Sequence, residues 1–285
     1  MKTNTPTLLV LAILLISLAA TAQESYYSPK LEKKWSTTDG LSIPESSCYN
    51  SKEKTIYVSN IVGMHNIKDG VGYISRLNAK GELLQKEWVI GLNAPKGICC
   101  TKKSLFVTDI DQVLEVSLRT GKVKKSYQNS KSISLNDATV ADDGTVYVSD
   151  SGGDCIFRVG KDSLEVFLQS DELNRMNGIL AVDKLLYLGS KNNMITVNQK
   201  SKAITVVAVG VGYLDGIVMV GKNKFITSDF KGVVQFIEPG KVAELLLKTT
   251  DVPINAADLG YIPSQKLLLI PTFNDNRINA YKLNF

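Results

Sequence analysis

A short β-rich phrase ending in a small or acidic residue occurs six times along this chain of 285 residues. Its copies are IYVSN at 56–60, LFVTD at 105–109, VYVSD at 146–150, LYLGS at 186–190, FITSD at 225–229 and LLIPT at 268–272. Consecutive copies begin 39 to 49 residues apart, and such a period is typical of repeat architectures. The sequence therefore predicts one structural unit repeated six times.

Each unit reads as four short antiparallel strands. The third unit contains DATVA (137–141), VYVSD, CIFRVG (155–160) and LEVFLQ (164–169), separated by Asp-Gly and Gly-Gly turns. Six such units predict an all-β fold, a six-bladed β-propeller with four-stranded blades. The last unit stops after its third strand, so we expect residues 30–37, KLEKKWST, to supply the missing outer strand and close the ring.

The N-terminus has the layout of a secretory signal peptide. Residues 1–22 contain Lys2, an apolar run over 8–20 and an Ala-Thr-Ala exit. The apolar run is shorter than the ~20 residues that span a membrane. We expect a signal peptide at 1–22 and a single propeller domain at 23–285. The mature protein is then exported, to a periplasm or outside the cell, without stable membrane insertion.

The charge pattern gives no reason to expect nucleic acid or nucleotide as a partner. The 33 Lys and Arg and 28 Asp and Glu are scattered, without a basic cluster interleaved with aromatic residues. Residues 216–223, GIVMVGKN, come within one residue of a phosphate-binding loop. Their first half reads as a strand and Gly-Lys-Asn as its hairpin turn, so we predict no nucleotide site there.

The cysteines do not form a zinc motif. Cys48, Cys99, Cys100 and Cys155 include no CxxC pair, and His65 is the single histidine. Neighbouring Cys99 and Cys100 are expected to point to opposite faces of a strand. Buried thiols are the favoured interpretation, while an oxidising compartment leaves a disulfide open.

A polar residue stands about ten residues before each repeated phrase, at the predicted start of an innermost strand. These positions are Glu45, Lys96-Gly97, Asn136-Asp137, Asn177-Gly178, Asp215-Gly216 and Asp258. In a propeller such strand starts converge on the central axis at one face. Carboxylate and amide oxygens are the ligands that Ca²⁺ and Mg²⁺ prefer. The pairs are also common in turns, so a purely structural role is the alternative.

The order Glu, Asn-Asp, Asn-Gly, Asp-Gly in blades one, three, four and five resembles a known superfamily over residues 30–285. It includes gluconolactonases and senescence-marker-like proteins, paraoxonases, staphylococcal drug-responsive lactonases and strictosidine-synthase-like proteins. The resemblance implies that Glu45, Asn177 and Asp215 hold a divalent cation and that Asn136 touches metal or substrate. Ca²⁺ is the expected cation, with Mg²⁺, Mn²⁺ or Zn²⁺ as alternatives. Gluconolactonases typically have Glu-Gly-Pro where this chain has Glu-Ser-Ser, which argues against a sugar lactone.

The implied activity is metal-dependent hydrolysis of a small lactone or related ester. Asp215 is the expected acceptor of a proton from the attacking water, with Asp137 and Asp258 as other candidates that line the substrate side. His65 lies in the expanded segment 60–72, a candidate lid on the same face. The alternative function is a non-catalytic propeller, similar to the NHL type, that binds a peptide, glycan or small molecule.

The acidic residues that end the repeated phrases are predicted to have a structural role. Asp109, Asp150 and Asp229 each precede a tight turn, where a carboxylate can accept hydrogen bonds from backbone amides. Their recurrence in blade after blade argues against a catalytic role.

Overall fold

The computed structural model describes residues 25–37 and 39–285. Six antiparallel sheets form the blades of a β-propeller, and the predicted fold is confirmed. The predicted signal peptide lies outside the described residues. The part of the chain that the structure describes contains no helix long and apolar enough to cross a membrane.

The strands follow in chain order, and the first two belong to the last two blades. These are β1 (Tyr26–Tyr27) and β2 (Leu31–Ser36). Blade one contains β3 (Pro44–Asn50), β4 (Thr55–Asn60), β5 (Gly72–Asn78) and β6 (Leu83–Leu92). Blade two contains β7 (Pro95–Cys100), β8 (Ser104–Asp109), β9 (Gln112–Ser117) and β10 (Val123–Gln128). Blade three contains β11 (Leu135–Val140), β12 (Val146–Asp150), β13 (Cys155–Val159) and β14 (Leu164–Gln169).

The second half of the ring repeats this order. Blade four contains β15 (Ile179–Val182), β16 (Leu185–Ser190), β17 (Asn193–Asn198) and β18 (Ile204–Val209). Blade five contains β19 (Leu214–Gly221), β20 (Lys224–Asp229), β21 (Val233–Ile237) and β22 (Glu244–Lys248). Blade six contains β23 (Gly260–Ile262), β24 (Leu267–Pro271) and β25 (Ile278–Leu283). Short 3₁₀ helices cover Asp171–Leu173, Pro263–Gln265 and Phe273–Asp275.

The N-terminal strand closes the ring. β2 pairs antiparallel with β25, placing Leu31 opposite Leu283, and so supplies the fourth strand of blade six. This confirms the predicted closure. β1 adds a fifth strand to blade five by pairing with β22, with Tyr26 opposite Lys248. That strand was not predicted, because two residues are too few to show a period.

The hydrophobic core lies between neighbouring blades. The repeated phrases form the second strand of each blade, and their apolar residues are buried. Successive side chains on a strand point to opposite faces, so each blade packs against both neighbours. Cys99 packs between blades two and three, whereas Cys100 packs between blades one and two. The predicted opposite orientation of these two cysteines is confirmed.

All four cysteines are free thiols. Cys99 and Cys155 are buried, as expected, whereas Cys48 and Cys100 are half-buried. Burial raises the pKa of Cys155 to about 12, which keeps this thiol protonated and unreactive at neutral pH.

The segment resembling a phosphate-binding loop is a β-hairpin. β19 ends at Gly221 and β20 begins at Lys224, so Lys222 and Asn223 form the turn. A phosphate-binding loop requires a helix after the loop, and here a strand follows. The predicted hairpin is therefore confirmed.

Candidate metal centre

Four of the six polar positions sit in β-bulges at the axial ends of the innermost strands. In blade one the register shifts between Pro44 and Ser47, so Glu45 and Ser46 form the irregularity. The register between the first and second strands also shifts at the pairs beginning at Lys96, Asn136 and Asp215, in blades two, three and five. A bulge bends a strand and redirects its side chains. In blades four and six, the pairs 177–178 and 258–259 directly precede the first strand.

The glycines of these pairs allow neighbouring blades to approach closely. A Cβ on Gly97 would lie 2.4 Å from the Cα of Asp137 in the next blade. A Cβ on Gly216 would lie 2.3 Å from the backbone nitrogen of Leu259, and Gly178 faces blade five in the same way. None of the three has a positive φ. Contact between neighbouring blades, and not a positive φ, is therefore the reason for glycine at these three positions.

The phrase-ending aspartates fix the loops that lead into the axial positions. The carboxylate of Asp150 accepts hydrogen bonds from the backbone amides of Ile133 and Ser134, each at 2.8 Å. It also accepts from Gly152 and Gly153, each at 3.1 Å. The predicted structural role is confirmed for this residue, which anchors the backbone just before the polar pair of blade three.

Asp109 and Asp229 act in the same way in blades two and five. Asp109 accepts from the backbone amide of Ala94 at 2.7 Å and from that of Asn93 at 3.1 Å. Asp229 accepts from the backbone amide of Lys231 at 2.9 Å. Both carboxylates therefore accept hydrogen bonds from the backbone, as Asp150 does.

The axial acidic residues lie in one electrostatically connected cluster. Burial, followed by the charges on Asp215 and Asp258, raises the pKa of Glu45 well above its usual value. Burial, followed by the charges on Asp258, Glu45 and Asp215, does the same for Asp137. Like charges disfavour ionisation of each other, most strongly where water is excluded. The structure therefore brings together carboxylates from blades one, three, five and six.

Two members of this cluster have pKa values near neutrality. Burial and the Asp258 charge raise the pKa of Asp215 to about 8, although a hydrogen bond from Asn177 opposes the shift. Burial raises the pKa of Asp258 to about 7, opposed by a hydrogen bond from Ser46. The hydroxyl of Ser46 donates to Oδ2 of Asp258 at 2.5 Å. These groups exchange protons in the pH range where most enzymes work.

Several axial oxygens are buried without a hydrogen-bond partner. They are Oε2 of Glu45, Oδ1 of Asn136, both carboxylate oxygens of Asp137 and Oδ1 of Asn177. The amide nitrogens are engaged, since Asn177 donates to Asp215 and Asn136 donates to the hydroxyl of Ser151 at 3.0 Å. A buried polar atom without a partner costs free energy unless a water or an ion satisfies it. The unpartnered axial atoms are thus all oxygens, the ligand type of a hard cation.

Lys96 is the axial residue that the sequence interpretation left without a role. Its side chain is buried, and its positive charge lowers the pKa of Glu45, Asp137 and Asp215. It therefore compensates one of the negative charges in the cluster. The sequence did indicate an axial position for Lys96, because Lys96-Gly97 occupies the same position in blade two that Asp215-Gly216 occupies in blade five.

The acidic side chains alone do not make a metal site. Within residues 25–37 and 39–285, no group of three or more His, Cys, Asp or Glu side chains is arranged to hold a metal ion. A cation at the axis would therefore depend on the amide oxygens of Asn136 and Asn177 as well as on carboxylates. The unpartnered oxygens include both kinds, amide and carboxylate.

The expanded loop of blade one follows β4 and lies on the axial face. Lys68 in this loop forms an ion pair with Asp111 of blade two at 2.6 Å. His65 is exposed, and among the described residues it makes no hydrogen bond to the axial cluster. The structure does not bring His65 together with the other predicted site residues.

A large cavity lies elsewhere. It has a volume of about 750 Å³ and is lined by residues at the opposite ends of the innermost strands, among them Tyr49, Cys100 and Val140. Cavity size alone therefore does not select the axial cluster. The buried carboxylates and unpartnered oxygens select it, because a buried polar group without a partner costs more free energy than an empty surface groove.

Two solved structures share this fold. A streptogramin B lyase aligns over 89% of this chain and 97% of its own with 13% identity and a TM-score of 0.64. Virginiamycin B lyase from Staphylococcus aureus aligns over 90% of this chain and 99% of its own with 14% identity and a TM-score of 0.58. No family model matches the chain, and no curated protein does.

The similarity to these two structures is one of fold alone. Both neighbours are propellers that match nearly their whole length, which supports placing the chain in the wider propeller class. They do not single out the gluconolactonase-like group that the polar pairs resemble. Since one fold supports many functions, the activity has to be argued from the axial residues.

Proposed function

We propose that the chain is a divalent-cation-dependent hydrolase of a lactone or related ester, with its site at the axial cluster. The observation that carries the proposal is the set of buried, unpartnered oxygens on Glu45, Asn136, Asp137 and Asn177. Ca²⁺ suits these neutral and acidic oxygen ligands. Glu45, Asn177 and Asp215 are the proposed ligands, and Asn136 contacts either the cation or the substrate.

A cation bound here would polarise the substrate carbonyl as a Lewis acid. The chain's own residues provide the rest of the site. Asp215 is the proposed acceptor of a proton from water, with Asp258 and Asp137 as the other candidates. A cation bound to Asp215 would favour the ionised form of its carboxylate, which is the form that can accept a proton. Asn177 orients Asp215 through the hydrogen bond from its amide nitrogen.

The test is hydrolysis of a panel of lactones and aryl esters by the chain from residue 23, with Ca²⁺ or with EDTA. We expect turnover with Ca²⁺, loss of turnover with EDTA, and a loss of about a hundredfold or more in Asp215→Asn. Asp142→Asn is the matched control, because Asp142 is an exposed carboxylate in a turn at the opposite end of the propeller. Turnover that is indifferent to EDTA and to Asp215→Asn contradicts the proposal.

One observation favours a second function, a non-catalytic binding propeller. Lys96 already compensates part of the acidic cluster, so the axis could receive a cationic or hydrogen-bonding ligand without a metal. A protein that shows neither turnover nor any thermal response to Ca²⁺ would support this second function.

A further inference from the structure

Two of the cysteines share one interface between blades. Cys48 lies on β3 of blade one and Cys100 on β7 of blade two. Both pack against the hydrophobic core that these two blades bury between them. Cys99 packs on the other face of β7, against blade three. Cys48 and Cys100 therefore enter the same space from opposite sides.

The innermost strands β3 and β7 are in direct contact. The backbone amide of Ile98 in β7 donates to the hydroxyl of Ser46 in β3 at 3.4 Å. Beyond this contact both strands keep a regular register with the second strand of their own blade. Each cysteine lies two residues further along its strand, and side chains two residues apart point to the same face. The two thiols therefore face each other one step beyond the contact.

The two thiols are close enough to interact. A hydrogen bond with Cys48, followed by burial, raises the pKa of Cys100 well above its usual value. A disulfide forms only where two side chains point toward each other from neighbouring backbones. This pair satisfies that condition. The vicinal pair Cys99 and Cys100 does not, because its side chains lie on opposite faces of one strand.

The pair is also accessible from solvent. Cys48 and Cys100 are half-buried, whereas Cys99 and Cys155 are buried. Cys100 lines the cavity of about 750 Å³ at the end of the propeller opposite the axial cluster. An oxidant can therefore reach this thiol without unfolding of the blades. The predicted export of the chain would bring it into an oxidising compartment, where protein disulfides form and persist.

We propose that Cys48 and Cys100 form a disulfide that links blade one to blade two. The oxidant is a disulfide compound, either a small one such as oxidised glutathione or a protein. One cysteine thiolate attacks it and forms a mixed disulfide, releasing the first oxidant thiol. The second cysteine thiolate then displaces the other oxidant sulfur. The two cysteines lose two electrons and two protons, and the oxidant gains both as two thiols.

The bond would hold together two blades that are otherwise joined by packing and one chain connection. The loop that it closes contains the whole of strands β4, β5 and β6. Closing a loop of about 50 residues restricts the unfolded chain and so stabilises the folded one. The bond would also tie together the two strands that carry Glu45 and Lys96. The proposal does not depend on a metal at the axis.

Thiol counting tests the proposal on the folded chain from residue 23, purified in its reduced form. The protein is incubated with oxidised glutathione at pH 8 and denatured, and its free thiols are alkylated and counted by mass spectrometry. We expect two free thiols, a Cys48–Cys100 link in the peptide map, and a rise in melting temperature of about 5 °C or more that dithiothreitol reverses.

Two variants separate this pair from the other cysteines. Cys100→Ser should form no link within the chain. Cys99→Ser is the matched control, because it changes the neighbouring residue of the same strand on the opposite face. It should form the Cys48–Cys100 link as the wild type does.

Four free thiols in the oxidised wild type overturn the proposal. So does a link to Cys99 or Cys155, a link between two chains, or glutathione adducts alone. A Cys48–Cys100 link that leaves the melting temperature unchanged also overturns it, because the bond would then not hold the blades together. Thermal unfolding under reducing conditions checks that the variants fold. Should Cys100→Ser not fold, Cys48→Ser replaces it, and the peptide map of the wild type decides the matter.

Discussion

Two sets of buried carboxylates, those that end the second strands and those at the axis, differ in their hydrogen-bond partners. Asp150 and its equivalents end the second strands, where backbone amides surround them; Asp150 accepts four such hydrogen bonds. Asp137, in the same blade, is also buried, yet neither of its oxygens has a partner. The difference separates acids that build the scaffold from acids that remain available for a ligand.

The largest expected effect is the loss of a scaffold carboxylate. Asp150→Ala leaves four backbone amides without their acceptor, which should lower the free energy of unfolding by about 3 kcal/mol or more. Urea unfolding measures this change. The corresponding axial variant, Asp137→Asn, should not destabilise the protein in EDTA, because neither oxygen of Asp137 accepts a hydrogen bond that the variant would lose. Equal destabilisation by both variants would erase the distinction between the two sets.

The second expected effect is a dependence of folding stability on pH in the absence of metal. The pKa values of Asp258 and Asp215, about 7 and about 8, lie above the unfolded value of about 4. The folded state then binds more protons than the unfolded state. The stability from these protonated groups is fully present below pH ~4 and is lost as pH rises through about 7 to 8. Melting temperatures in EDTA should fall over this range, and the fall should be smaller in Asp258→Asn.

A smaller effect is expected for the buried lysine. Lys96→Met removes the positive charge that lowers the pKa of Glu45, Asp137 and Asp215, so their ionisation becomes harder. The variant should lose more stability at pH 8 than at pH 5, because protonation relieves the repulsion at the lower pH. Thermal unfolding at both pH values checks this. A pH-independent loss would indicate that Lys96 acts through packing alone.

Much of the fold was predictable because the repeat is long and regular. The six phrases fixed the number of blades, and the incomplete sixth unit indicated that residues 30–37 close the ring. The axial positions were also predictable, since Glu45, Asn136 and Asp215 recur in phase. Other features depend on contacts between blades that one sequence does not show. The bulges, the close approach at Gly97, the buried charge of Lys96 and the strand at Tyr26–Tyr27 belong to this group.

The same limit applies to the chemistry. The printed sequence shows that an acid stands at position 137 and another at position 150. It does not show that one is surrounded by amides and the other faces further carboxylates, because that depends on which way the bulged strand turns its side chains. For His65, a place in a long loop suggested a role in the site; the structure shows this side chain exposed, and its role stays a prediction.

The proposed function requires that the unpartnered axial oxygens bind a divalent cation. Thermal unfolding of the wild type and of Asp215→Asn, each in EDTA and in a Ca²⁺ titration, tests it most directly, with Asp142→Asn as control. If the affinity is ~10⁻⁴ to 10⁻³ M, as in extracellular calcium modules, Ca²⁺ at ~100 times its dissociation constant should stabilise the wild type and the control by about 2.7 kcal/mol. Asp215→Asn should respond far less. An identical melting temperature with EDTA and with Ca²⁺ in all three proteins would contradict the claim.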